Sequence, residues 1–73
     1  MNVDVKNHIQ VVAFPATTFK RAGLIGLCDF DLMTLAQMNP ESVKVYPNLY
    51  SFQNALNLDL VDTEDYWLFF IDL

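Results

Sequence analysis

An alternating stretch near the N-terminus predicts a β-strand. The two sides of an extended HIQVVAFP (residues 8–15) are Ile9, Val11 and Ala13 against His8, Gln10 and Val12. β-Branched residues are frequent in this stretch and Pro15 closes it, a combination that favours a strand. The following ATTFKRAG (16–23) is typical of a loop or one helical turn, with Thr17 or Thr18 as a possible cap.

A helix is predicted after an ambiguous apolar segment. The segment LIGLCDF (24–30) is compatible with either a strand or a helix. Asp31 is a favourable N-cap for a helix that follows. The residues that share one face of this helix are Leu32, Leu35 and Ala36. Asn39 and Pro40 end it, because proline cannot continue the helical hydrogen bonds.

A short strand and the clearest helix of the chain come next. In SVKVYP (42–47), alternation separates two pairs of side chains: Val43 and Val45 on one side, Lys44 and Tyr46 on the other. NLYSFQNALN (48–57) has an apolar face at helical spacing that consists of Leu49, Phe52, Ala55 and Leu56. Asn48 is expected to cap the start, and Asn57 suits the left-handed conformation that ends many helices.

The last segments are a turn and an apolar strand. DTED (62–65) predicts a turn, and YWLFFIDL (66–73) predicts a strand that is apolar on both faces. Such strands are typical of the centre of a sheet. Residues 43–73 then form a strand–helix–strand unit, with a right-handed crossover if its strands are parallel neighbours.

These elements predict a single domain over residues 1–73 of the α+β class. The expected architecture is a two-layer sandwich, with a three- or four-stranded sheet and two short helices on one face. The chain has 73 residues, of which 53% are apolar. Domains near this size bury only about 60% of the surface that their unfolded chains expose. We therefore expect apolar side chains on the surface, available to a partner or to a second copy.

Cysteine content and hydropathy favour a soluble protein of the cytoplasm, or of the host cytoplasm if the protein is viral. Cys28 is the single cysteine, which excludes an internal disulfide. The N-terminus has no apolar stretch typical of a signal peptide. The longest run of apolar residues and glycine, residues 22–28, is far shorter than the roughly 20 residues of a membrane helix.

Charge is unevenly distributed along the chain and favours a basic protein partner. The net charge is −5. Residues 1–24 contain three basic residues and one acidic residue, whereas residues 25–73 contain one basic residue and eight acidic ones. An acidic surface repels phosphate backbones, so direct nucleic-acid binding is not expected. A basic protein surface is the natural complement.

The segment LIGLCDFDLMT (24–34) resembles the motif of haloacid dehalogenase-like phosphatases. In that family a hydrophobic strand ends in Asp-x-Asp-Gly-Thr, and the resemblance implies a nucleophile at Asp29, an acid/base at Asp31 and a magnesium ion between them, with Thr34 as the threonine. Leu32 and Met33 replace the single glycine of the motif, and the chain after Asp31 is too short for that fold. We therefore interpret the aspartates as the start of a helix, where carboxylates favour the positive end of the dipole.

Other catalytic and metal-binding arrangements are not predicted. Cys28 and His8 are the only potential thiolate and base, and they are interpreted as a small core residue and a solvated residue. One cysteine and one histidine cannot make a structural zinc site. The turn 62–65 lacks the length and the glycine of a calcium loop. We expect no cofactor, no metal and no enzymatic activity.

A partner-binding site is predicted where acidic and aromatic residues adjoin. Its residues are Asp62, Glu64, Asp65, Tyr66 and Trp67. Aromatic anchors with charges at the rim are typical of protein-binding hot spots. The resulting hypothesis is a non-catalytic protein-interaction module, in its specific form a small accessory or inhibitory protein of a virus or mobile element that binds a basic surface. The alternative is a structural subunit that forms a homo-oligomer through its apolar strand and aromatic surface.

Overall fold

Three strands and three helices form the structured part of residues 5–72. These are the residues that the computed structural model describes, Val5 by its backbone alone. The elements are a 3-10 turn (Val5–Asn7), β1 (Ile9–Pro15), α1 (Arg21–Ile25), α2 (Asp29–Met38), β2 (Lys44–Tyr46), α3 (Leu49–Asn57) and β3 (Tyr66–Asp72). The predicted α+β class and three-stranded sheet are confirmed. Leu73, the last residue of the predicted C-terminal strand, lies outside the described residues.

The sheet is antiparallel and has the order β2–β1–β3. β1 pairs with β3 over seven consecutive residue pairs, from Ile9 opposite Asp72 to Pro15 opposite Tyr66. Its pairing with β2 covers three residue pairs. The expectation that the C-terminal strand is central was wrong, because β1 occupies the centre. β2 and β3 are consequently not neighbours, so the condition for a simple crossover between them is not met.

The centre of the sheet is buried on both faces. The four residues from Val11 to Phe14 have no solvent exposure. Val12 and Phe14 belong to one apolar cluster, which includes Leu24 of α1 and Leu32 of α2. Val11 belongs to a second cluster. Because neighbouring residues of a strand point to opposite faces, the two clusters lie on opposite sides of the sheet.

The helices therefore divide between the two faces of the sheet. Ala36 of α2 packs in the first cluster, whereas Phe52 and Ala55 of α3 pack in the second. This differs from the prediction of two helices on one face. A strand with four consecutive buried side chains requires cover on both faces, which is why α2 and α3 lie on opposite sides.

Helix α2 begins earlier than predicted. Its N-cap is Cys28, whose side chain makes no cap hydrogen bond, and Asp31 lies in the first turn rather than at the cap. There the Asp31 carboxylate accepts a hydrogen bond from the Cys28 thiol, with Sγ and Oδ2 3.2 Å apart. Carboxylates in the first turn of a helix stabilise its positive end. Cys28 itself is exposed, so its interpretation as a core residue was wrong.

Helix α3 confirms its predicted cap but ends differently. The side chain of Asn48 accepts a hydrogen bond from the backbone N–H of Ser51, at 2.9 Å. At the other end, the left-handed residue is Asp59, with φ of 55°, and Asn57 remains helical. Aspartate tolerates this conformation better than most residues because its side chain bonds locally. None of the helices within residues 5–72 is long and apolar enough to span a membrane.

Replacement of the α3 cap is expected to destabilise the protein. Asn48→Ala removes the acceptor for the Ser51 N–H, and the free energy of unfolding should fall by about 0.5–2 kcal/mol. Asn54→Ala is the matched control, since Asn54 is exposed within the same helix. It should be neutral or stabilising by up to about 0.7 kcal/mol, because alanine has the higher helix propensity. Urea denaturation followed by circular dichroism measures both; equal destabilisation would contradict the capping role.

Candidate interaction surface

The predicted acidic residues lie together in an exposed turn. Asp62, Glu64 and Asp65 are all exposed. The Asp62 Oδ1 atom accepts a hydrogen bond from the Glu64 N–H at 2.9 Å, and the Asp62 carbonyl accepts one from the Asp65 N–H at 3.1 Å. The segment 62–65, called the acidic turn below, is therefore an ordered connection that leads directly into β3.

The two predicted aromatic anchors lie on opposite faces of β3. Trp67 packs against the first cluster, and its Nε1–H donates to the Phe19 carbonyl at 2.8 Å. The Arg21 guanidinium lies 5.9 Å from the centre of the indole ring. Trp67 is half-buried. These contacts give Trp67 a role in holding the segment before α1 against the sheet.

Tyr66 is likewise half-buried and faces a cation of its own chain. It packs against the second cluster, and the Lys44 Nζ atom lies 5.1 Å from the centre of its ring. The same Nζ donates to the Leu60 carbonyl at 2.8 Å. The structure thus brings the acidic turn next to the start of β3 but separates the Tyr66 and Trp67 rings. Their role as anchors for a partner stays a prediction.

The outer edge of β3 is not paired with any other strand of the described part of the chain. Ala16 N–H donates to the Asp65 carbonyl at 2.9 Å, just before the first strand pair. Since hydrogen-bonded and non-hydrogen-bonded pairs alternate in antiparallel sheets, Trp67, Phe69 and Ile71 direct their backbone groups to β1. The residues whose N–H and C=O groups point outward are Tyr66, Leu68, Phe70 and Asp72. We call this row the β3 edge.

Phe70 is the functional candidate that the sequence analysis missed. Its side chain is 56% exposed, although its ring also meets Phe52 of α3 edge-on at 6.3 Å. Alternation placed Phe70 on the same face as Tyr66 and Leu68, but nothing in the sequence indicated that this strand lies at an edge. An exposed aromatic ring beside free backbone groups is a surface to which an added strand can bind.

The two edges of the sheet differ in how they are protected. β2 has only three residues and carries Lys44, and Pro47 follows it. Pro15 lies two residues beyond Ala13, whose pair with Lys44 is the last between β1 and β2. It has no N–H, and its carbonyl oxygen accepts hydrogen bonds from Thr18 and Phe19. β3 has seven residues, six of them apolar, and contains neither proline nor lysine. Its register with β1 is also free of bulges. Short length, charge, proline and bulges are the usual protections against edge association, and β3 lacks most of them.

Exposed apolar residues are present elsewhere, as the composition predicted. The most exposed are Phe30 at 77% and Met38 at 72%, which lie on the outward side of α2. Leu58 and Leu60 are exposed after α3. The α2 backbone is helical, so it does not offer the row of laterally directed groups to which an extended strand can pair. The β3 edge is therefore the better candidate for an interaction surface.

A shallow hollow adjoins the acidic turn. Its volume is about 400 Å³, and its lining residues are Leu56, Asp59, Val61, Asp62 and Thr63. Two carboxylates and an aliphatic wall are suited to a long basic side chain, whose stem packs on apolar atoms while its charged end meets the acids. The hollow adds one carboxylate, that of Asp59, to the predicted acidic surface, and Leu56 provides an apolar wall beside it.

The residues that match the phosphatase motif lie on one helix. Asp29, Asp31 and Thr34 lie on α2, and the Thr34 hydroxyl donates to the Phe30 carbonyl at 2.9 Å. In the phosphatases the corresponding residues follow the end of a β-strand, so the position of these residues on a helix does not match the motif. Across residues 5–72, groups of three or more side chains able to hold a metal ion are not found. His8 is exposed, as predicted. No protein family, curated protein or solved structure matches this chain.

Removal of the indole hydrogen bond is expected to destabilise the fold. Trp67→Phe keeps an aromatic ring but leaves the Phe19 carbonyl without its donor, so the free energy of unfolding should fall by about 1–3 kcal/mol. Arg21→Gln is the companion variant, which removes the cation above the ring and should cost about 0.5–1 kcal/mol. Urea denaturation followed by far-ultraviolet circular dichroism measures both. A Trp67→Phe variant as stable as the parent would assign Trp67 to binding rather than to structure.

Proposed function

We propose that this protein is a non-catalytic protein-interaction module that binds through the β3 edge and the adjoining acidic turn. The observation that carries the proposal is the β3 edge itself: an apolar edge strand of seven residues with outward-directed backbone groups and an exposed Phe70. Most edge strands are short or carry protective charges within them. An unprotected edge is suited to strand addition, in which backbone hydrogen bonds supply affinity and side-chain pockets supply specificity.

The charges next to this edge support a basic partner. Asp62, Glu64 and Asp65 are exposed in the acidic turn, and Asp59 lines the hollow beside it. Among the described contacts, no basic side chain forms an ion pair with these acids. Lys44 instead donates to the Leu60 carbonyl and lies over the Tyr66 ring. Exposed carboxylates in a row attract a positively charged surface and accelerate its encounter.

The specific form of the proposal is a small accessory or inhibitory protein of a virus or mobile element, acting in the cytoplasm. A chain of 73 residues with a net charge of −5 and surplus apolar side chains has the composition of a domain devoted to binding. The exposed Cys28 supports a reducing compartment, where a free thiol persists. Its action would consist of covering the basic surface of another protein.

Neutralising the acidic turn should slow the binding of a basic probe. The variant carries Asp62→Asn, Glu64→Gln and Asp65→Asn; asparagine at position 62 keeps the acceptor for the Glu64 N–H. The probe is a short fluorescent peptide in which valine and lysine alternate. Its association rate constant should fall by about tenfold or more at low ionic strength, and its salt dependence should flatten, because exposed charges mainly steer encounter. Stopped-flow anisotropy measures the rates.

The control separates local charge from net charge. Asp29→Asn, Asp31→Asn and Glu41→Gln change the net charge equally but lie on α2 and in the turn after it. This control variant should bind the lysine peptide at nearly the parental rate. A peptide in which valine and glutamate alternate should not bind the parent protein. Equal effects of the two triple variants would show that net charge alone acts, and the assignment to the acidic turn would fail.

A further inference from the structure

The β3 edge is complementary to itself. Self-pairing of this edge rests on the proposed function only in that the β3 edge is an interaction surface. We infer that the strand part of this surface is occupied by a second copy of the chain, with the two β3 strands antiparallel and Phe69 opposite Phe69 on a two-fold axis. The two three-stranded sheets then join into one continuous sheet.

Backbone direction is compatible with this pairing. In the proposed register, Leu68 faces Phe70 of the second copy, and Tyr66 faces Asp72. All four positions direct their N–H and C=O groups outward, so each such pair exchanges two hydrogen bonds. Phe69 lies in a non-hydrogen-bonded pair, where opposite Cα atoms are about 4.5 Å apart. The full length of β3 is paired.

Side chains are matched on both faces of the joined sheet. On one face, the exposed Phe70 packs beside Leu68 of the second copy. On the other, Phe69 lies opposite its own counterpart, and Trp67 lies opposite Ile71, which is already buried within its own molecule. Pairs of aromatic and aliphatic side chains directly opposite each other stabilise antiparallel sheets. The pairing brings an apolar partner to Phe70, which is 56% exposed in the single chain.

In this register Asp72, the charged residue of β3, lies near the oppositely charged Lys44 of the second copy. Asp72 shares a face with Tyr66, since both occupy even positions of β3. Opposite Tyr66 of the second copy, the Asp72 carboxylate approaches the Lys44 ammonium, which lies 5.1 Å from the centre of that Tyr66 ring. By symmetry this contact occurs at both ends of the paired strands.

Neighbouring registers are less favourable. A shift that centres the pairing on Leu68 places Asp72 opposite Glu64, two carboxylates in direct opposition. A shift that centres it on Phe70 places the Asp72 carboxylate opposite the aliphatic side chain of Leu68, away from the Lys44 ammonium. The register centred on Phe69 avoids both defects. It also leaves the acidic turns beyond the two ends of the paired strands, where each remains free for a basic partner.

Sedimentation velocity tests the pairing with two matched variants. The full chain should sediment as a dimer at micromolar concentration. Phe70→Lys should raise the dissociation constant by about tenfold or more, since it places a charge opposite Leu68. Phe30→Lys removes a phenylalanine of α2 that is even more exposed than Phe70, and it should leave the dimer unchanged. A monomeric parent, or a dimer that dissociates with Phe30→Lys and not with Phe70→Lys, overturns the inference.

Disulfide cross-linking of single introduced cysteines tests the register of the two β3 strands. In a Cys28→Ser background, which removes the only cysteine of the chain, Leu68→Cys, Phe69→Cys and Phe70→Cys are oxidised separately. Only the Phe69→Cys sulfurs should bond between copies, because residues 68 and 70 are each about 7–8 Å from their own counterparts. Circular dichroism verifies folding. Faster cross-linking at position 68 or 70 assigns another register and overturns this one.

The same samples separate this inference from the proposed function. Binding of the lysine peptide reports on the acidic turn, and sedimentation reports on the β3 edge. A monomer that binds the peptide through the acidic turn overturns the dimer and retains the interaction module. A dimer that does not bind the peptide retains the self-pairing and overturns the basic partner.

Discussion

The burial of β1 on both faces is the constraint on which the remaining structure depends. Val11, Val12, Ala13 and Phe14 have no solvent exposure, and each large apolar side chain so buried contributes about 1.5–3 kcal/mol. Because these side chains alternate between faces, one strand needs two layers of cover. α2 supplies one layer and α3 the other. With both faces occupied by helices, the edges of the sheet are the parts that remain open.

Local features of the fold could be predicted from the sequence, whereas the order of the strands in the sheet could not. The N-cap of α3 was predictable from Asn48, and β2 was predictable from the alternation around Lys44. Both features depend only on residues that are adjacent in the sequence. The apolar run of β3 was interpreted as a sign of a central strand. In the structure its two faces contact the two clusters, yet one of its edges has no paired strand within residues 5–72. Apolar faces show that a strand is covered above and below; they carry no information on lateral pairing.

The candidate site was predictable to a similar degree. The acidic turn lies where its sequence placed it, since four polar residues before an apolar strand form a turn on local grounds. The surroundings of the aromatic residues were not predictable, because Lys44 and Arg21 reach Tyr66 and Trp67 from distant parts of the chain. Phe70 could be identified as a candidate only from the structure, which places β3 at the edge of the sheet and leaves Phe70 exposed.

Pro15 has a consequence for the size of any assembly. It lacks an N–H, and its carbonyl oxygen accepts hydrogen bonds from the turn that follows. β1 therefore offers no backbone groups with which β2 could pair beyond Lys44, and β2 remains an edge strand of three residues. A sheet with two open edges adds molecules at both sides without limit, which is how fibrils grow. A sheet with one open edge is saturated when two molecules have met. A single proline in the central strand thereby favours a finite stoichiometry over polymerisation.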